Sequence, residues 1–479
     1  MTKRTKIIAT IGPASSSPAI IAKLIRAGMD AARLNFSHGD RKDHTHRIQL
    51  IRNEAAKAGK HIAIIQDLQG PKLRVGEIKN DAAFLKRNST ILLTTKKLVG
   101  TSEQVSITYP RLTKDLKPGD TVLLDDGRLE LRVVKKNSNT LSCKIIRGGV
   151  LKSHKGVNLP GANLSLPSLS NKDRDDLRFG VNQGVDYVAL SFVRTAKDIQ
   201  QTRHFIRSLK ADIPIIAKIE KPEAILNLEE IICAADGIMV ARGDLGVEMS
   251  PEKVPLLQKR IIEACHWAET PVITATQMLE SMIENPQPTR AETSDVANAI
   301  LDGTDCVMLS GETAVGNYPV QTVEFMARIA LQAETSVNPW PPDDDVAGLG
   351  ESVAHAACRA GEEQQAQAIV PFTQSGSSAL LVSKHRPRMP IIAPTPFAHV
   401  ARRISLYWGV TPVILKAKKT TDDMITSVER IMLKKKLAKK HDLIIITAGV
   451  PIGVAGSTNM MKIHRVGEAT SLESKAGKN

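Results

Sequence analysis

The sequence predicts an α/β protein, a (β/α)8 TIM barrel with an inserted small β-barrel lid domain and a C-terminal α/β domain. Eight short apolar runs recur along the chain, each followed by a helical pattern. The runs are continuous rather than alternating, as befits strands buried on both faces of a parallel sheet. The rhythm breaks twice, once into hairpin signals and once into a Pro/Asp-rich linker.

The eight runs are 6–12 (KIIATIG), 31–37 (AARLNFS), 61–68 (HIAIIQDL), 185–192 (VDYVALSF), 214–220 (PIIAKIE), 237–244 (GIMVARGD), 271–277 (PVITATQ) and 306–312 (CVMLSGE). Helical patterns cover 51–58, 173–181, 196–208, 251–268 and 289–301. After Gly70-Pro71, residues 72–155 lose the helical period. Turn signals at 117–120, 125–127, 137–139 and 148–149 bracket strand-like runs at 121–124, 129–134 and 141–146. This segment reads as an all-β insert hinged at Gly70-Pro71 and at Gly156 to Gly161, placed to act as a lid. Residues 338–345 (NPWPPDDD) read as a linker. Helix and strand patterns then alternate at 351–364, 368–372, 375–385, 390–392, 421–437 and 442–447. The expected domains are therefore 1–70 and 157–338 (barrel), 71–156 (lid) and 339–479 (C-terminal). The lysine run at 434–440 reads as a solvated helix face.

Composition narrows the function. Sixty-five Lys and Arg against 50 Asp and Glu give a net charge of +15, which suits anionic partners. Aromatic residues are only 3% of the chain, too few for the stacking platforms of a single-strand nucleic-acid binder. Five scattered cysteines without a C-x-x-C pair point to a reducing compartment rather than a disulfide framework. No apolar run reaches membrane-spanning length, and no secretory signal is evident at the N-terminus.

Seven of the eight apolar runs end in, or run on into, polar residues: Arg33, Asn35 and Ser37; Asp67; Ser191 and Arg194; Lys218 and Glu220; Arg242 and Asp244; Thr276 and Gln277; Ser310 and Glu312. In a parallel barrel these gather at the carboxyl rim, where active sites of this fold lie. Phosphate-loop and dinucleotide fingerprints are absent, so phosphates must be held by side chains and a metal. Glu220 and Asp244 end adjacent strands, a pairing suited to Mg²⁺. Lys218 shares a strand face with Glu220 and can stabilise negative charge on an oxygen. Arg33 and Arg74 can clamp phosphate oxygens, and Thr276 can pass a proton or bind a carboxylate.

The chain resembles the pyruvate kinases. The matching segments are 5–15 (TKIIATIGPAS), 33–39 (RLNFSHG), 67–74 (DLQGPKLR), 155–161 (KGVNLPG), 217–220 (AKIE), 239–248 (MVARGDLGVE), 273–282 (ITATQMLESM) and 288–312. Looser matches follow at 372–379 (FTQSGSSA) and 456–459 (GSTN). The resemblance implies phosphoryl transfer from phosphoenolpyruvate to ADP, giving pyruvate and ATP. It implies Glu220 and Asp244 as ligands of Mg²⁺ or Mn²⁺, and Lys218 and Arg33 at the transferring phosphoryl group. Ala241, Arg242 and Gly243 would hold the substrate carboxylate through their backbone, with Thr276 beside it. Asn35, His38, Arg74 and Lys155 would serve the nucleotide.

Many of these enzymes need K⁺, held at positions matching Asn35, Ser37, Asp67 and Leu68, and carry Glu where this chain has Lys72. Family members that work without K⁺ carry Lys there, so Lys72 is expected to replace the ion. Thr373, Ser375, Gly376, Ser377 and Ser378 resemble the family's loop for a phosphorylated allosteric effector, although many members have Arg or Lys where Ser377 stands. The resemblance further implies a cytoplasmic homotetramer that engages neither nucleic acid nor membrane. Two other classes compete with this reading: a Mg²⁺-dependent barrel lyase or aldolase acting on an enolate without nucleotide, and a basic nucleic-acid-binding protein. The insert with Lys155, and the Asn35/Arg74 set, speak against the first, because they furnish a second phosphate site. The dispersed basic residues speak against the second.

Overall fold

The structure, a computed structural model, describes residues 3–162, 167–337, 348–451 and 458–468. The expected linker at 338–345, and Gly456 and Ser457 of the last matching segment, lie outside these residues.

All eight apolar runs form strands of one closed parallel barrel: β1 (Lys6–Thr10), β2 (Ala31–Asn35), β3 (Ala63–Asp67), β4 (Tyr187–Leu190), β5 (Ile215–Ile219), β6 (Gly237–Ala241), β7 (Val272–Ala275) and β8 (Cys306–Leu309). Strand order follows chain order, and β8 closes on β1 with Val307 opposite Ile7. The strands end before the runs do. Ser191, Glu220 and Thr276 leave the ladder and become rim residues. The interior is filled by small and branched side chains, among them Ile8, Ala31, Ile65, Ala189, Ile216 and Met308. The helix expected at 51–58 is the second half of α1 (Arg41–Lys57). Its start is fixed by Asp40 and Asp43, each accepting the other's backbone N–H. That first half is too polar for its period to show.

The base of the barrel carries a fourfold pattern. Asp30, Asp186, Asp236 and Asp305 immediately precede β2, β4, β6 and β8. Each carboxylate accepts the backbone N–H that opens the preceding odd strand: Ile7 (2.8 Å), Ile64 (2.8 Å), Ile215 (2.7 Å) and Val272 (2.8 Å). Each Asp N–H returns a bond to the carbonyl of the same residue, at 2.9–3.0 Å. Such straps to a charged acceptor contribute about 1.5–3 kcal/mol each.

Two of the straps also dock the C-terminal domain. Asp305 pairs with Lys384 and Arg386, each at 2.9 Å, and Asp186 with Arg402 at 2.7 Å. Leu406 packs into the barrel's inner core, and Lys6 Nζ donates to the Val410 carbonyl at 2.6 Å. The C-terminal domain thus plugs the base and leaves the rim free. Its sheet runs Val410–Ile414, Ile391–Thr395, Ala368–Pro371, Leu443–Gly449, Thr458–Arg465, with only the last strand antiparallel.

The insert is all-β. A six-stranded sheet contains Thr121–Leu124, Leu129–Lys136 and Thr140–Arg147 at its centre, and a two-stranded sheet pairs Ala82–Leu85 with Gly149–Lys152. One core, including Leu85, Leu93, Leu131 and Ile145, joins the two sheets. Its two connections to the barrel run side by side: Val75 N–H bonds to Lys155 O (2.9 Å) and Val157 N–H to Leu73 O (3.0 Å). Gly70, at φ +69°, turns the chain off β3; a Cβ there would lie 2.7 Å from the Phe192 ring.

Candidate active site

The rim is built outward from Lys218 on β5. Its ammonium lies 2.8 Å from Glu220 Oε1 and 3.2 Å from Asp67 Oδ1, and donates to Ser191 Oγ at 2.8 Å. Arg33 at the end of β2 meets the other Asp67 oxygen at 2.6 Å and donates to Thr10 Oγ1 at 3.1 Å. Residues on or directly after five strands, β1 to β5, therefore meet in one polar cluster. Asp67 and Glu220 are each 1% exposed, so their charges survive only because they are paired. Burial pushes Asp67 up, but Lys218 and Arg33 outweigh it and hold the carboxyl below its ordinary value. Burial would lower Lys218, yet Asp67 and Glu220 hold the ammonium firmly protonated.

Glu220 behaves differently. Burial, reinforced by the Asp244 carboxylate, pushes its carboxyl above the usual value, although Lys218 pulls the other way. Its second oxygen accepts the Phe192 N–H at 2.8 Å. Phe192 itself sits at φ +56°, a left-handed conformation unfavourable for a bulky residue. Glu220 and the exposed Asp244 thus form a like-charged pair that an added cation would relieve. Among the described residues no group of three or more His, Cys, Asp or Glu gathers anywhere. A two-carboxylate site fits Mg²⁺, which keeps coordination places for water and substrate oxygens.

Asp244 opens onto the rim from α2 (Arg242–Glu248), which directly follows β6. The Arg242 side chain turns away from the site: it pairs with Asp295 at 2.7 Å and donates to the Thr276 carbonyl at 2.7 Å. Thr276, at φ +68°, accepts the Gly243 N–H at 2.8 Å and donates to the Ala275 carbonyl at 2.6 Å. Ala241, Gly243 and Thr276 are therefore adjacent.

The nucleotide set is less unified. His38 is held below its ordinary pKa by burial and then by the positive charges of Lys72, Arg74 and Arg33. Arg74 donates to the His154 carbonyl of the insert at 2.9 Å. Asn35 Oδ1 accepts the Ser37 N–H at 3.0 Å. Lys155 stays within the insert, paired with Asp125 at 2.8 Å. Lys72 is exposed, and Leu68 is buried without a hydroxyl to offer. In the C-terminal domain, Gly376 (φ +105°) caps α3 (Ser377–Lys384). Thr373 Oγ1 accepts the Gly376 N–H at 2.8 Å, Ser375 and Ser377 hydroxyls meet at 3.1 Å, and Ser378 meets Thr458 at 2.6 Å.

One arrangement is not visible in the sequence. Glu248, at the end of α2, is 5% exposed and pairs with Lys221 at 2.6 Å. The same oxygen accepts Asn158 Nδ2 from the insert's returning connection at 2.8 Å. The helix bearing Asp244, the residue after Glu220 and the insert's return connection are thereby tied together. A narrow cleft opens beside this tie, lined by Lys72, Asp126, Asn158, Phe192, Lys221 and Asp244 among others.

Known proteins were compared with this chain. The family model described as "Pyruvate kinase, barrel domain" matches residues 2–323, and "Pyruvate kinase, alpha/beta domain" matches 351–464. The chain belongs to the pyruvate kinase family. A pyruvate kinase of Staphylococcus aureus (strain MRSA252) is 47% identical over 97% of this chain and 81% of its own length. One of Geobacillus stearothermophilus is 46% identical over 98% and 81%. A crystal structure of a pyruvate kinase from Cryptosporidium parvum superposes with a TM-score of 0.91, at 38% identity, covering 97% of this chain and 96% of that one. The enzyme transfers the phosphoryl group of phosphoenolpyruvate to ADP, giving pyruvate and ATP in the last step of glycolysis. Its family generally uses Mg²⁺. The lyase alternative is not favoured. Among the described residues, no helix is long and apolar enough to cross a membrane.

Proposed function

We propose that the Lys218 cluster is the reacting centre of this phosphoryl transfer. The observation that carries the reading is a buried ammonium between Glu220 and Asp67, at the carboxyl rim beside Arg33 and Asp244. Glu220 and Asp244 hold the divalent ion, which supplies positive charge to phosphoryl and carboxylate oxygens when bound. Arg33 and Lys218 engage the phosphoryl group. As its bond to the enol oxygen breaks, Lys218 offsets the charge left on that oxygen. The backbone of Ala241, Arg242 and Gly243 orients the substrate carboxylate, and Thr276 lies where the enolate is protonated. Asn35, His38, Arg74 and Lys155 take the ADP phosphates, Lys155 approaching as the lid (71–156) closes on the barrel (1–70 and 157–338).

Lys72 replaces K⁺ in this enzyme. Supporting this, Asp67 is already matched by two cations, Leu68 offers no side-chain oxygen, and the positive charge of Lys72 is felt at His38. The hydroxyl-rich loop Thr373–Ser378 in the 339–479 domain takes a phosphorylated effector at the start of α3. The exposed side chains Met461 and Ile463 on the edge strand, and Trp267 and Leu301 on barrel helices, suit a homotetramer. We assign the enzyme to the cytoplasm. The test is ATP formation with Mg²⁺ in tetramethylammonium buffer. Full activity there, abolished by EDTA, is expected; strict K⁺ dependence overturns the Lys72 assignment.

A further inference from the structure

The lysines that close α4 (Thr421–Lys434) have no role in phosphoryl transfer. Two of them, Lys434 and Lys435, line an open cleft of about 540 Å³ between the C-terminal domain and the barrel. Arg52, Lys60 and His61 line it from the barrel side, and Arg402 from the C-terminal domain. No Asp or Glu is among the described residues that line it. Arg52 and Arg402 share the carboxylate of Asp186, each at 2.7 Å, so that single acid is spent. Lys60, Lys434 and Lys435 are exposed and, among the described residues, make no ion pair. The excess positive charge is felt by His61, which burial, then Lys435 and Arg402, hold below its ordinary pKa. Ile414 and Ile431 give the cleft an apolar floor.

Cations converging from two domains over an apolar floor suit a small anion with a carbon body. The charge holds the phosphate and the floor covers the rest. A polynucleotide or a bilayer calls instead for a continuous basic face. None of Thr373, Ser375, Gly376, Ser377 and Ser378 lines this cleft, so it is separate from the loop before α3. We propose that the cleft between α4 and the barrel base is a binding site for a compact organic phosphate.

Occupancy would reach the active site through a short route. A phosphate on Arg402 and Arg52 competes with Asp186 for them. Asp186 straps β3 and begins β4, and β4 leads into Ser191, which accepts from Lys218. Any change in phosphoenolpyruvate affinity on binding must be matched by an equal change in affinity for the organic phosphate.

The experiment is calorimetric titration of the full chain with ribose 5-phosphate and with glucose 1,6-bisphosphate, in the wild type, K60E/K435E and S377E. At least one compound is expected to bind, with its Kd raised tenfold or more by K60E/K435E and changed less than twofold by S377E. Basal phosphoryl transfer should be unchanged in K60E/K435E, so failure here leaves the catalytic reading intact. The proposal is overturned if neither compound binds at millimolar concentration, or if K60E/K435E leaves binding unaltered. It is equally overturned if the double variant weakens binding only of a 20-nucleotide DNA or of phosphatidylserine vesicles, which would make the patch a polyanion surface.

Discussion

Replacing Lys218 with Met removes the charge and keeps most of the stem. Three contacts disappear, to Glu220, Asp67 and Ser191. Losing one partner of a buried ion pair costs about 3–5 kcal/mol. Here the low end is expected, because Arg33 still holds Asp67 and Glu220 can take up a proton. Urea denaturation should therefore lose about 3 kcal/mol of stability. The rate effect is separate. Removing one preorganised donor from a developing charge costs roughly 10²–10³ in kcat, and an ammonium shielded from water should reach the upper figure. The assay is ATP formation at saturating Mg²⁺ and ADP, with phosphoenolpyruvate varied and the folded fraction checked by circular dichroism. A kcat about 10³-fold lower, with a small change in KM, is the expected result. A folded Lys218→Met protein with kcat within tenfold of wild type would refute the reasoning.

Lys72→Glu should make the enzyme depend on K⁺, with activity in K⁺-free buffer falling at least tenfold and returning on addition of KCl; steady-state assays across KCl concentrations check this. Asn158→Ala cuts the bond between the lid's return connection and Glu248, so KM for ADP should rise several-fold with kcat little altered, read from ADP saturation curves. Asp305→Asn removes the charge that meets Lys384 and Arg386 and should cost about 3 kcal/mol or more, measured by urea denaturation at pH 7. Burial raises the Asp305 carboxyl, but the two cations outweigh it and hold it below the ordinary 3.8. Its stabilising contribution is thus complete above about pH 4 and is lost as the pH falls through the lowered value, so Asp305→Asn should flatten the acid limb of the stability curve.

The barrel was legible because its strands are buried on both faces, which leaves unbroken apolar runs in the chain. The Lys218–Glu220 contact was legible because residues two apart share a strand face. Other features leave no local trace. Each strap joins residues 23, 122, 21 or 33 positions apart, a separation with no period to read. The Lys221–Glu248–Asn158 tie links three motifs whose proximity exists only after folding. Strand Val410–Ile414 was missed because Pro412 interrupts it, which a sheet edge tolerates. Strand Thr458–Arg465 was missed because it carries Lys462, His464 and Arg465 among its apolar residues. At the rim, sequence gave residue types, while the sharing of Asp67 between Arg33 and Lys218 needed coordinates.

The strap from Asp186 to Ile64 bridges the whole excursion of the chain through the insert. Strands three and four are stapled at one end while the all-β cap is hung from the other, so any load on the cap meets two strands already held in register at the floor. The growing chain also gains a checkpoint: this staple can form only once the entire cap has been synthesised, so the second quarter of the wheel is completed late although its first strand is made early.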